Sequence, residues 1–118
     1  MRLMRTVSAL LFASAIAGLA LAGCGPTCQT TCRKIYAPEE CDIRVPGVPD
    51  WTDMYDDCVE DCELALDQPG VLGDYDPDQR PTGGESVVLE NERQAGAWMN
   101  CVEETTCERL NDGYCPPS

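Results

Sequence analysis

The stretch from residue 28 to residue 62 opens on Cys28-Gln29-Thr30-Thr31-Cys32 and closes on Cys58-Val59-Glu60-Asp61-Cys62. Each pair of cysteines is four residues apart, the spacing that puts both on one face of a helix. Tyr36 extends the first stripe, and Trp51, Met54, Tyr55 and Leu66 keep helical spacing with the second pair. Thr27 or Gly25 is placed to cap the first helix, Pro26 is tolerated in its first turn, and Pro38 marks its end. Asp50 has the position of an N-cap for a second helix from Trp51 to about Leu66, which Pro69-Gly70 stops. Between them lies the turn-prone Val45-Pro46-Gly47.

An antiparallel hairpin requires that the numbers of paired residues have a constant sum. Pairing Cys28 with Cys62 and Cys32 with Cys58 gives 90 in both cases, and the midpoint, 45, falls on that turn. The crossed pairing, Cys28 with Cys58, would need parallel helices. Closing the Cys32–Cys58 loop adds about 3–4 kcal/mol through the unfolded state. The pattern resembles the twin Cys-x-x-x-Cys hairpin of the small mitochondrial intermembrane-space chaperones. The resemblance covers Cys28, Cys32, Cys58 and Cys62 only, with a longer spacer here, and it carries no chaperone activity with it.

Downstream, residues 67–90 form an irregular segment rich in Pro, Gly and Asp, with Val87-Val88-Leu89 as a short extended piece. A third helix is expected with Asn91 as N-cap, Gln94 three residues later, and Ala95, Trp98, Met99 and Val102 at helical spacing. It breaks at Thr105-Thr106, where Thr106 caps a final turn through Leu110. Cys41, Cys101, Cys107 and Cys115 allow three pairings that spacing does not separate. Cys41 with Cys101 would dock the third helix on the hairpin, and Cys107 with Cys115 would close the tail; that is the expectation taken forward. The fold class expected is all-α, small and disulfide-rich.

The need for staples is visible in the composition. The chain from Cys24 onward has 14 Leu, Ile and Val in 95 residues and no Phe. That is below the roughly 20% at which a highly charged chain tends to disorder. Six basic residues face 21 acidic ones there, a net charge of −15. Such a surface repels phosphate backbones and anionic headgroups, so no nucleic-acid partner is expected.

The N-terminal 23 residues have a different character. Arg2 and Arg5 precede an apolar run from Val7 to Ala22, too short for a spanning helix of roughly 20 residues, and small residues follow. Leu21-Ala22-Gly23-Cys24 resembles the lipobox of bacterial lipoproteins. That resemblance implies a cleaved signal peptide over 1–23, a single domain over 24–118, and a palmitate-type lipid on Cys24. Parity agrees with it: of nine cysteines, eight remain for four disulfides if Cys24 carries lipid. The whole resembles the cysteine-rich lipoproteins of Gram-negative bacteria, implying a lipid-anchored protein of the cell envelope, on the periplasmic or surface face of the outer membrane.

Chemistry is sparse. The absence of histidine removes the usual general base, and no Cys-x-x-Cys is present for thioredoxin-type redox work. The expectation is therefore a non-enzymatic structural or interaction protein without a cofactor, whose membrane partner is reached through lipid. The alternative is a ligand-binding module, either an inhibitor of an exported protease or a weak calcium binder. Asp74, Asp76, Asp78 and Glu85 occupy positions 1, 3, 5 and 12 of a calcium loop. Gln79 stands where that loop requires glycine, and Pro81 occupies position 8.

Overall fold

The computed structural model describes residues 25–81 and 86–117. Residues 1–24, residues 82–85 with Glu85 of the acidic loop, and Ser118 lie outside the described residues. Four helices and no strand are present among the described residues: α1 (Cys28–Tyr36), α2 (Trp51–Leu66), α3 (Glu92–Glu104) and α4 (Cys107–Asn111).

Local chemistry sets each start. Thr27 and Thr30 form a reciprocal capping box at α1. The Asp50 carboxylate accepts from Thr52 N at 3.0 Å and from the Thr52 hydroxyl at 2.8 Å. The Asn91 side chain accepts from both Arg93 N and Gln94 N, and Thr106 accepts from Arg109 N. Gln94 departs from the expected box: its Oε1 accepts from Glu90 N and its Nε2 donates to the Leu72 carbonyl, so it ties the irregular segment to α3. The α1–α2 connection turns where Val48 N donates to the Val45 carbonyl, with Pro46 and Gly47 at the two central positions. Gly47 has φ +87°, the left-handed value that a type II turn demands and glycine accepts without steric cost.

The thiol pairs set the register. Cys28–Cys62 and Cys32–Cys58 close the antiparallel hairpin, with Cα–Cα separations of 5.7 and 5.9 Å. The third helix packs against both members. Glu92 N donates to the Gln68 carbonyl at one end, and Lys34 of α1 meets the last carbonyls of α3 at the other. Hence α3 runs parallel to α1 and antiparallel to α2. The core consists of Ile35, Tyr36, Trp98, Met99, Val102 and Leu110 around the buried cystines. Leu66, expected on the buried stripe, is exposed, and Ala65 takes the inward position one residue earlier.

Two expected pairings are corrected. Cys41 joins Cys107 rather than Cys101, and Cys101 joins Cys115, leaving no Cys107–Cys115 bridge. The reason lies in where α3 ends. Cys41 N donates to the Lys34 carbonyl, and the Lys34 ammonium holds the Thr105 carbonyl, so Cys41 sits beside the α3–α4 break, where Cys107 begins α4. Beyond Gly113, at φ +95°, the tail doubles back along α3 and brings Cys115 to Cys101.

Lys34 donates to the carbonyls of Val102 at 2.6 Å and of Glu103 and Thr105 at 2.9 Å. The last turn of α3 has no basic residue of its own, so α1 supplies the cation that its carbonyls and dipole call for. Lys34→Met is expected to destabilise the domain by about 1–3 kcal/mol, measured by urea denaturation with disulfides intact. Thr31 is the opposite case: its buried hydroxyl has no hydrogen-bond partner among the described residues. Thr31→Val, which keeps the shape, is expected to raise stability by about 1 kcal/mol in the same assay.

Candidate functional site

Two surfaces stand out once the helices are in place. The first is a cleft of about 690 Å³ between α2, residues 86–89 and the C-terminal tail. Its walls include Tyr36, Val45, Met54, Leu64, Val87 and Leu89, with Trp98 behind them and Asp57 and Asp61 among the α2 contributors. Helical spacing places Met54, Asp57, Cys58, Asp61 and Leu64 together, because residues three and four apart share a face. Opposite them, Val87 and Leu89 are half-buried and Val88 is exposed, the alternation of an extended segment laid against the helix.

The tail that forms the third wall is held on both sides. Cys115, a non-glycine residue at φ +56°, donates its N–H to the Pro77 carbonyl at 3.1 Å. Its carbonyl accepts from the Trp98 indole at 3.2 Å, and its sulfur is bonded to Cys101. Next to it, the Tyr75 hydroxyl donates to the Pro116 carbonyl at 2.5 Å. Burial, reinforced by the nearby Asp76 and Asp78 carboxylates, pushes the Tyr75 phenol well above its ordinary range, so it remains a donor at any physiological pH. Burial likewise raises Tyr36. Trp98 and Tyr36 are buried core residues that back the cleft, while Trp51 and Tyr55 are half-buried and meet edge to face at 5.9 Å.

The acidic loop is organised by hydrogen bonds of its own. Asp76 Oδ1 accepts from Asp78 N at 2.9 Å, and Asp74, Asp76 and Asp78 are all exposed. Among the described residues no three thiolates or carboxylates converge to hold a metal ion. All eight cysteines from Cys28 to Cys115 are bonded in pairs, so none of them offers a nucleophilic or metal-ligating thiolate.

The second surface is apolar and exposed: Leu64, Leu66, Val71, Leu72 and Val88. Sequence reading missed it, because it assigned Leu66 to the core and gave Val71 and Leu72 no role. The available signal was the position of these residues beyond the Cys62 staple, the last bridge on α2. No helix among the described residues is long and apolar enough to cross a membrane. No protein-family model, curated protein or solved structure matches this chain.

The Asp50 cap supplies a pH test of the hairpin. The backbone N–H of Thr52, and then its hydroxyl, hold the Asp50 carboxyl below its ordinary value. A depressed carboxyl stabilises the fold above its unfolded pKa and loses that contribution as pH falls through the folded one. Asp50→Asn keeps a capping oxygen and removes the titration. The wild type is therefore expected to lose more Tm than Asp50→Asn between pH 6 and pH 3, measured by circular dichroism, roughly in the range where carboxyls titrate.

Proposed function

We propose that this is a lipid-anchored, non-enzymatic structural or interaction protein of a bacterial cell envelope, attached through Cys24. The observation that carries this reading is the disulfide inventory. Cys28, Cys32, Cys41, Cys58, Cys62, Cys101, Cys107 and Cys115 bond among themselves, so the ninth cysteine has no partner left within the chain. That ninth cysteine closes Leu21-Ala22-Gly23-Cys24, the tetrapeptide resembling a lipobox. Four disulfides in a small domain also suit an oxidising, extracytoplasmic compartment. The apolar cleft supports the interaction half of the reading, since it is a concave surface backed by rigid, cross-linked walls.

The test is metabolic labelling with an alkyne analogue of palmitate in a bacterial host, comparing wild type with Cys24→Ala. Label on the wild type that is absent from Cys24→Ala is expected. An unlabelled wild type recovered as a soluble, signal-cleaved chain would overturn the proposal.

A further inference from the structure

The exposed apolar residues are not scattered. Leu64 and Leu66 are the last apolar residues of α2, beyond the Cys28–Cys62 staple, and Val71 and Leu72 follow in the connection that leaves it. That connection is fastened to the start of α3. The Gln68 carbonyl accepts from Glu92 N, the Val71 carbonyl from Asn91 Nδ2, and the Leu72 carbonyl from Gln94 Nε2. Val88, the fifth, lies three residues before Asn91, whose side chain is bonded to the Val71 carbonyl. All five therefore gather at one end of the bundle, where α2 ends and α1 and α3 begin. Their exposures run from 39% at Leu66 to 75% at Val71.

This is also the end at which the chain enters. Cys24 is three residues before Thr27, the N-cap of α1, so the tether spans only about 10–11 Å even when fully extended. Resting on the proposed lipidation of Cys24, we infer that the Leu64, Leu66, Val71, Leu72 and Val88 patch is a bilayer-contact surface on which the domain stands. A lipid on so short a tether holds this end against the headgroup region, where partial burial of apolar side chains is favourable. Exposed Glu63, Asp67, Glu90 and Glu92 neighbour the patch residues along the chain and outnumber the exposed Arg93, so the balance disfavours anionic lipid and the surface suits a zwitterionic interface. The far end, with the Val45–Val48 turn and Trp51, is carried away from the membrane.

The experiment uses full-length protein purified from a bacterial membrane and reconstituted into phosphatidylethanolamine–phosphatidylcholine vesicles with bromines near the headgroup. Val71→Trp and Val88→Trp place reporters on exposed patch positions, and Arg44→Trp places one at the far end. Intact mass first reads lipid on Cys24 and four disulfides in each variant. The added indoles at 71 and 88 are expected to be quenched about twofold and blue-shifted, with no change at 44. Lipid on Cys24 without quenching at 71 and 88 would overturn the contact surface alone. No lipid on Cys24 would overturn the anchor and the orientation together. Indoles shielded from both brominated lipid and acrylamide would mean that a protein covers the patch, and would also overturn the proposal.

Discussion

Reduction of all four disulfides is expected to unfold this domain at ambient temperature, with loss of most of its helical circular dichroism. The core is small: the fully buried large side chains other than cysteine are Trp98, Ile35, Leu110 and Val102. Their burial must offset the entropy of ordering a chain whose second helix contains Asp53, Asp56, Asp57, Glu60, Asp61 and Glu63 and no basic residue. Like charges at three- and four-residue spacing oppose that helix by about 0.2–0.5 kcal/mol per pair. The bridges act on the other side of the balance, by restricting the unfolded chain. Their sequence separations are 66, 34, 26 and 14. Taken singly, these correspond to about 4.4, 3.8, 3.5 and 3.0 kcal/mol in the chain-entropy account. The Cys32–Cys58 loop lies within Cys28–Cys62, and Cys41–Cys107 overlaps both of these and Cys101–Cys115, so the values do not simply add. Any one is nevertheless a large share of the roughly 5–15 kcal/mol by which a domain is stable. Paired Cys→Ala variants should therefore rank with loop size. Removal of Cys41–Cys107 should cost most and removal of Cys101–Cys115 least, as read by urea denaturation. A reduced protein that keeps its helicity and cooperative transition would contradict this assignment of the stability.

Trp98→Ala is expected to cost about 3–5 kcal/mol, the range for emptying a buried aromatic site. Trp98 is 1% exposed and belongs to the central cluster. Its indole N–H also donates to the Cys115 carbonyl, at the residue where the tail turns back with positive φ. The substitution therefore leaves a cavity and also releases that carbonyl. Trp98→Phe separates the two contributions: it keeps much of the volume and loses the donor, so a smaller loss of about 1–2 kcal/mol is expected. If Trp98→Ala were no worse than Trp98→Phe, the tail contact rather than packing would carry the residue's contribution.

The parts of this fold legible in the sequence are those fixed within a few residues. Thr27, Asp50, Asn91 and Thr106 were readable as caps because the hydrogen bonds they accept come from the next two or three backbone amides. The twin pairing was readable because an antiparallel register constrains two bridges at once. The other two bridges depend on distant contacts. Lys34 reads only as a charge on α1, yet its ammonium sets where α3 ends and so brings Cys107, not Cys101, to Cys41. Tyr75 reads as a loop residue, yet its hydroxyl holds the tail that carries Cys115 back to Cys101. The apolar end was hidden for a different reason. Helical period admits either Ala65 or Leu66 as the next inward position after Cys62, and Ala65 takes it, leaving Leu66 exposed.

The central claim is that eight cysteines build the domain and the ninth is left for a lipid. Intact-mass analysis of the membrane-extracted protein tests it most directly, with and without reduction and thiol alkylation. The account predicts a chain beginning at Cys24 and carrying acyl mass, no alkylation before reduction, and eight alkylations after it. Nine alkylations on a chain without acyl mass, or a free thiol among Cys28 to Cys115 before reduction, would contradict it.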